Sequence, residues 1–279
     1  MEAVIAIGFL VSLSSALGVI LAIANSKLKV FEDPRIDKVQ ELLPGTNCGT
    51  CSLSGCRLFA EKAVAGEIQP SECKVGGLET ANNVAEYLGV DAGEVDKEVS
   101  RLLCAGGNNV AIQAADYVGF PSCRAASAVA GGGKGCRYGC LGFGDCEVIC
   151  DFDAIIMSAT RLPIISAEKC TSCGDCVEIC PKDILELRPI RQHLLVQCKS
   201  ELEGDEILGH CKVACTACEK CVADAPQDLM KMENNLPAIN DELIHLQDVS
   251  AIKRCPTNAI VWIEEQQFEE GTTVERNVV

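Results

Sequence analysis

The sequence predicts an α+β protein in which one N-terminal transmembrane helix precedes small cysteine-rich modules. Three observations carry this prediction. The chain of 279 residues begins with a long uncharged apolar run, it contains 20 cysteines, and many of them stand two or three residues apart. Because aromatic residues make up only 4% of the chain, we expect bound metal groups rather than a large apolar core to stabilise the modules.

The N-terminal segment, residues 1–29, is expected to be a membrane anchor. No charged residue occurs from Ala3 to Ser26, and about 20 apolar residues can span the hydrocarbon core as a helix. A cleaved signal peptide is the alternative, but no basic region precedes the run. Lys27 and Lys29 follow it, which predicts a single-pass protein of the cytoplasmic membrane with the rest of the chain in the cytoplasm.

The spacing of the cysteines indicates metal binding rather than disulfides. Disulfides need particular Cα separations, whereas tight runs suit several thiolates that close on one metal group in a reducing compartment. The formal net charge of −16 argues against nucleic acid as a partner, because phosphate contacts need a basic surface.

The strongest motif lies in the module of residues 131–204. Its cysteines follow the spacing of bacterial ferredoxins and end before Pro181: Cys170, Cys173, Cys176 and Cys180. In such a run the first three thiolates bind one [4Fe–4S] cluster, and the fourth binds the other cluster of a pair. An upstream run supplies the rest, with Asp151 in place of the usual proline: Cys136, Cys140, Cys146 and Cys150.

Crossed ligation then assigns the thiolates of this module. One cluster is expected on Cys136, Cys140, Cys146 and Cys180. Its neighbour is expected on Cys170, Cys173, Cys176 and Cys150. The module is therefore predicted to be a ferredoxin-like domain of βαββαβ type with two clusters.

Residues 205–263 repeat this pattern with losses. The cysteines of one cluster are present: Cys215, Cys218, Cys221 and Cys255. The ligand positions of a second cluster hold other residues: Ala225, His245, Asp248 and Ala251. By crossed ligation these four belong to one cluster, so we expect a second ferredoxin-like domain with one cluster. We interpret His245 as a surface or packing residue.

The remaining segments carry looser patterns. Residues 30–90 are predicted to form a small helical module whose four cysteines suit a cluster or a zinc ion, the cluster being favoured beside ferredoxin runs. These are Cys48, Cys51, Cys56 and Cys73. Residues 91–130 are interpreted as a linker module, and residues 264–279 as a disordered acidic tail.

Four cysteines are left: Cys104, Cys123, Cys198 and Cys211. They are either buried free thiols or the ligands of a fifth cluster. The sequence thus predicts four [4Fe–4S] clusters and leaves a fifth open. It contains no Rossmann fingerprint, so no direct NAD site is expected, and no residue is expected to act as an acid–base catalyst or nucleophile.

The order of these motifs resembles the B subunit of the Rnf complex in its long form. The similarity rests on LPGTNCGTC at 43–51 and on CRYGCLGFGDC at 136–146. The resemblance implies a membrane complex that oxidises reduced ferredoxin, delivers the electrons to NAD⁺ as the expected acceptor, and translocates Na⁺ or H⁺. It also implies that this subunit receives electrons from soluble ferredoxin and relays them through its clusters to other membrane subunits.

An acidic ferredoxin would need a basic surface to steer docking. Candidate side chains surround the central module: Lys134, Arg137, Lys169, Arg188, Arg191 and Lys199. The alternative is that these are solvated charges. Two other functions stay open, a polyferredoxin-like subunit of another membrane or corrinoid-linked redox enzyme, and a zinc-stapled membrane scaffold without redox activity.

Overall fold

A computed structural model describes residues 2–27, 32–93, 96–264 and 266–268. In this part of the chain the helices are α1 (Glu2–Lys27), α2 (Pro34–Leu42), α3 (Cys56–Ala65), α4 (Gly77–Leu88), α5 (Cys123–Ala128), α6 (Asp145–Val148), α7 (Asp175–Glu178), α8 (Gly204–Leu208) and α9 (Lys220–Asp224). The strands are β1 (Glu98–Leu102), β2 (Ile155–Met157), β3 (Pro163–Ile165), β4 (Leu185–Pro189), β5 (Leu194–Val196), β6 (Met230–Glu233), β7 (Leu236–Ile239) and β8 (Ile260–Trp262). The predicted mixture of helix and strand is confirmed.

Helix α1 is apolar on all sides, and the side chains of residues 7–23 are exposed. Its stretch Ile7–Ala24 has a mean hydropathy of 2.3, and the helix is long and apolar enough to cross a membrane by length and composition. The hydroxyls of Ser12 and Ser15 donate to backbone carbonyls of the preceding turn at 2.8 Å, so they need no water. Lys29 and most of the predicted tail lie outside the described residues.

Helices α2, α3 and α4 form the N-terminal module around a core that includes Val39, Phe59 and Val84. The Asp33 carboxylate caps α2 by accepting the backbone N–H of Arg35 at 2.9 Å, which satisfies an otherwise unpaired donor. Gly66 and Gly89 end α3 and α4 in the left-handed conformation that favours glycine. The loop between α2 and α3 carries the first cysteines of the chain.

The central module is built on two short antiparallel pairs, β1 with β4 and β2 with β3. Its core includes Val99, Leu102, Ile155, Ile165 and Ile184. The segment interpreted as a linker, residues 91–130, therefore contributes strand β1, which runs antiparallel to β4 from Glu98 opposite Pro189 to Leu102 opposite Leu185. A composition rich in Ala and Gly concealed a strand of only five residues.

In the third module β5 pairs with β8 and β6 pairs with β7. Strand β5 lies within residues 131–204, which were expected to form the central module, but its partner β8 belongs to the third module. Asn234 and Asn235 both have positive φ at the β6–β7 turn, the backbone that two-residue hairpins require. Of the four positions that lack cysteine, Ala251 is buried in the core and Ala225 packs against it. Asp248 caps a 3₁₀ turn by accepting the N–H of Ser250 at 2.7 Å.

Candidate metal centres

All 20 cysteines line five cavities of similar volume, between 330 and 390 Å³, with four cysteines at each. We number these sites by their neighbours in space. Site 1 has Cys48, Cys51, Cys56 and Cys73. Site 2 has Cys150, Cys170, Cys173 and Cys176. Site 3 has Cys123, Cys140, Cys146 and Cys180. Site 4 has Cys104, Cys136, Cys198 and Cys211. Site 5 has Cys215, Cys218, Cys221 and Cys255.

Sites 1, 2 and 5 bring together the groups of four that the sequence predicts. Sites 3 and 4 differ from the expectation by one exchange. Cys123, which the sequence analysis left over, lies at site 3 with Cys140, Cys146 and Cys180. Cys136, which was expected there, lies at site 4 with three of the leftover cysteines.

The internal repeat explains the exchange. Cys140, Cys146 and Cys150 each stand thirty residues before a cysteine of the downstream run, and the counterpart of Cys173 is Phe143. The upstream run therefore has ferredoxin spacing with one ligand replaced by phenylalanine, and Cys136 lies outside it. Aligning the two runs at this offset of thirty residues would have shown from the sequence that position 143 lacks its cysteine. The spacing alone does not indicate that Cys123 replaces it.

Helix α5 carries Cys123 to site 3. The Ser122 hydroxyl caps α5 by accepting the N–H of Ala125 at 3.2 Å. The preceding backbone N–H, that of Arg124, donates to the Asp145 carboxylate at the start of α6 at 3.1 Å. These bonds hold the first turn of α5 against the helix that contains Cys146, so the Cys123 thiol faces the same cavity.

Three distant segments converge at site 4. Isolated antiparallel bridges join Ala111 to Cys211 and Gln113 to Lys134. The Lys134 ammonium donates to the carbonyl oxygens of Gly106 and, at 2.6 Å, of Cys140. The residue thus ties the segment that follows Cys104 to the loop that contains Cys136 and Cys140.

The loops direct backbone N–H groups at the sulfur atoms. The backbone N–H of Tyr138 lowers the pKa of the Cys136 thiol, and that of Ala217 lowers the pKa of the Cys215 thiol. Such donors favour the thiolate. Burial has the opposite and larger effect, and it raises the pKa of the thiols of Cys140 and Cys198 to about 12. A buried thiol of this kind becomes a thiolate when a bound metal supplies the compensating charge.

The residues present fit [4Fe–4S] clusters. Each site offers four thiols that line one cavity, with backbone donors near sulfur, as the thiolates and sulfides of a cluster require. A single zinc ion would need four sulfurs about 2.3 Å from its centre, and among the described residues no group of three or more Cys, His, Asp or Glu side chains is arranged to hold a single metal ion.

Residues of successive sites contact one another, so the five sites form a series. The Thr50 hydroxyl of site 1 contacts the carbonyl oxygen of Cys173 at 3.5 Å. Sites 2 and 3 exchange ligands between their runs, and the Cys140 N–H of site 3 donates to the Cys104 sulfur of site 4 at 3.4 Å. The backbone N–H of Cys215, a site 5 residue, lowers the pKa of the Cys198 thiol of site 4 against the larger effect of burial. Site 4 therefore joins the central module to the third module.

The candidate docking cations already have partners. Arg188 contacts Glu186 at 2.5 Å and Asp241 at 3.2 Å, and Arg191 contacts Asp96 at 2.8 Å. Lys199 lies 3.3 Å from Glu186. Lys134 is directed inward, as described above, and the guanidinium of Arg137 lies over the ring of Tyr138 at 5.4 Å. Lys169 is exposed. These contacts neutralise or occupy most of the charge of the six side chains.

Comparison with known proteins supports the interpretation of the cysteine groups as iron–sulfur sites. A family model described as an Fe-S cluster domain matches residues 43–75, and one described as a 4Fe-4S binding domain matches residues 163–186. The chain is 44% identical to the B subunit of the Na(+)-translocating ferredoxin:NAD(+) oxidoreductase complex of Acetobacterium woodii, over 87% of this chain and 73% of that relative. It is 35% identical to the proton-translocating counterpart of Clostridium ljungdahlii, over 87% of this chain and 86% of that relative.

A third relative is the B subunit of the ion-translocating oxidoreductase complex of Methanosarcina acetivorans, which is 35% identical over 74% of this chain and 78% of its own length. The resemblance that the sequence motifs indicated is thereby confirmed. The chain belongs to the family of B subunits of Rnf-type, ion-translocating ferredoxin:NAD⁺ oxidoreductase complexes.

Proposed function

We propose that this chain accepts electrons from reduced ferredoxin and relays them through five [4Fe–4S] clusters to partner subunits of a membrane-bound, ion-translocating complex. One observation carries the proposal: all 20 cysteines fall into five groups of four around cavities of similar volume. Clusters bound there supply one-electron redox chemistry at potentials set by charge, hydrogen bonds to sulfur and exposure. The proposal needs no acid–base residue and no NAD site in this chain.

The exposure of the cysteines supports an electron path that begins and ends at sites near the protein surface. Cys48 of site 1 and Cys218 of site 5 are exposed, whereas the other cysteines are buried or half-buried. The exposed thiols thus belong to the first and last sites of the series. We assign the site 5 end to ferredoxin, and the site 1 end to the partner subunits, because site 1 belongs to the module that follows α1 in the chain.

The location of the chain in the cell is inferred from its family and from helix α1. We propose that α1 lies in the membrane and that the cysteine-rich modules face the cytoplasm, where soluble ferredoxin is found. The final acceptor is NAD⁺ and the translocated ion is Na⁺ or H⁺, as the names of the relatives state for those proteins. The ferredoxin surface lies around Cys218 rather than at the six cations of the central module, three of which are paired with carboxylates.

Electron entry can be tested by mixing the anaerobically purified chain with reduced ferredoxin and following the bleaching of its visible absorbance. Ala substitution at Cys218 should slow the first bleaching phase, whereas Cys48→Ala should leave that phase unchanged and remove only a late component. Equal slowing in both variants would contradict the assignment of the ends. A colourless chain containing zinc would end the redox proposal and leave a zinc-stapled scaffold.

A further inference from the structure

Lys134 is a cation at the wall of site 4 that the electron path described above does not use. Its side chain is half-buried and lines the same cavity as the four site 4 thiols, those of Cys104, Cys136, Cys198 and Cys211. The flexible stem of a lysine ordinarily lets the strongly hydrated ammonium reach water. A lysine that instead lines a cluster site places a positive charge beside the redox group.

The backbone on both sides of Lys134 is fixed by hydrogen bonds to a neighbouring segment. The carbonyl oxygen of Gly133 accepts the N–H of Ala115 at 3.0 Å, and the Gly135 N–H donates to the carbonyl oxygen of Ile112 at 2.8 Å. Gly133 has a φ of 75°, which favours glycine, and a side chain there would clash with the carbonyl oxygen of Ala115. The lysine side chain therefore starts from a backbone position that cannot readily shift.

The ammonium of Lys134 is held by two carbonyl oxygens beside the ligand sulfurs. Its Nζ donates to the carbonyl oxygen of Gly106 and, at 2.6 Å, to that of Cys140. A Cβ atom added at Gly106 would lie 3.1 Å from the Cys211 sulfur and 3.5 Å from the Cys104 sulfur. The residue that accepts the ammonium thus packs directly against two of the four site 4 ligands.

A second lysine lines site 4, but a carboxylate offsets its charge. Lys199 borders the same cavity, and its ammonium lies 3.3 Å from the carboxylate of Glu186. The two acceptors of Lys134 are carbonyl oxygens, which carry no formal charge. Burial raises the pKa of the thiols of Cys136 and Cys211, and the positive charge of Lys134 acts in the opposite direction. The direction of this effect agrees with the position of the ammonium at the cavity wall.

We propose that Lys134 is a positioning residue of site 4 that fixes the cavity wall and raises the reduction potential of the cluster bound there. The inference rests on the proposed function, because it needs a [4Fe–4S] cluster at site 4. One-electron reduction of site 4 takes the electron from the reduced site 5, adds one negative charge, breaks no bond and moves no proton. A fixed cation at the wall stabilises the reduced form more than the oxidised form. Lys134 thereby favours electron transfer from the third module into the central module.

The test is a potentiometric titration followed by EPR on the full-length chain, with iron and sulfide measured on each sample. Lys134→Gln should lower the midpoint of one cluster by about tenfold or more in its reduction equilibrium, which is about 59 mV for one electron. Because Lys134→Arg keeps the charge, it should change this equilibrium less than about threefold. The affected signal is assigned to site 4 by its disappearance in Cys211→Ala.

Lys212 provides a matched control for charge. It directly follows the site 4 ligand Cys211, but its side chain is exposed and lies outside the lining of the site 4 cavity. Because solvent screens an exposed charge, Lys212→Gln should change the midpoint less than about threefold. An equal shift in Lys212→Gln and Lys134→Gln would show an effect of net charge only and would overturn the inference.

The remaining outcomes separate this inference from the proposed function. Full iron content with unchanged midpoints in Lys134→Gln overturns the role of Lys134 and leaves the proposed function standing. A wild-type chain without iron and sulfide overturns the proposed function itself. If Lys134→Gln and the unbranched, uncharged Lys134→Met both lose iron at site 4, Lys134→Arg decides the question. Iron retained in Lys134→Arg supports a requirement for charge, and iron lost in that variant also assigns Lys134 to packing alone and overturns the inference.

Discussion

The exchange of Cys123 and Cys136 between sites 3 and 4 gives a test in which two ligand assignments predict opposite results. With four irons at each of five sites, the wild-type chain should hold about 20 irons, and removing one ligand thiol should cost about four of them. Cys136→Ala should therefore leave about 16 irons per chain. Adding Cys211→Ala removes a second thiol from the same site and should leave the count at about 16.

A double substitution across two sites should behave differently. Cys136→Ala with Cys140→Ala removes one thiol each from sites 4 and 3, so the losses should add and leave about 12 irons. The assignment from spacing alone, with Cys136 and Cys140 on one cluster, predicts the reverse order for the two double variants. The assay is iron and acid-labile sulfide per chain after anaerobic purification, with secondary structure measured as the control. A lower count for Cys136→Ala/Cys211→Ala than for Cys136→Ala/Cys140→Ala would refute the structural assignment.

Three further predictions concern ligand rescue, pH and the membrane. Phe143→Cys should restore iron to Cys123→Ala, because position 143 is the counterpart of Cys173 in the repeat; no recovery of iron would argue against the repeat. The Arg35 side chain and backbone N–H hold the pKa of Asp33 below its usual range, so the stability that Asp33 contributes to α2 should be present above about pH 4 and be lost as the pH falls through the lowered pKa. Thermal melts of Asp33→Asn, which keeps a capping oxygen, should lack this acid-dependent loss, and an unchanged pH profile would exclude the cap. Val11→Arg places a charge in the middle of α1 at a cost of about 3 kcal/mol for insertion and should move the chain from the membrane fraction to the soluble fraction, whereas Ser12→Ala should not.

Many of the cysteines at the candidate sites could be assigned from the sequence, because several ligands of one cluster stand at short, fixed spacings in the chain. The run from Cys170 to Cys180 binds from one loop, and its crossed partner Cys150 follows from the pair rule. The loss of four ligands in the third module could also be predicted from spacing. At two of these positions, Ala225 and Ala251 contribute to a packed core. These inferences need only the short spacings within each cysteine run and the rule that pairs two runs.

The ligands of site 4 could not be predicted from cysteine spacing, because they come from segments far apart in the chain. Cys104 follows β1, and its neighbour Cys198 follows β5. They meet because β1 pairs with β4 and because the Ala105 N–H donates to the carbonyl oxygen of Gln197 at 3.1 Å. Backbone pairing of this kind is a tertiary property that leaves no local signal, so the sequence could count four spare cysteines but could not group them.

The partners of the candidate docking cations could not be predicted from the sequence for a related reason. The positions of lysines and arginines along a module contain no information on which carboxylates lie beside them. Glu186 accepts both Arg188 and Lys199, and these two charges therefore contribute little to the field that a ferredoxin would meet.

If the chain holds five clusters arranged in series, the amounts of iron and acid-labile sulfide per chain must match five sites. Anaerobically purified wild-type protein should hold about 20 irons and an equal amount of sulfide, without zinc. A value of about 16 irons would leave one of the five sites without a cluster, and if the lost site were site 4, the series would be broken between the central and third modules. Zinc in place of iron and sulfide would contradict the account as a whole.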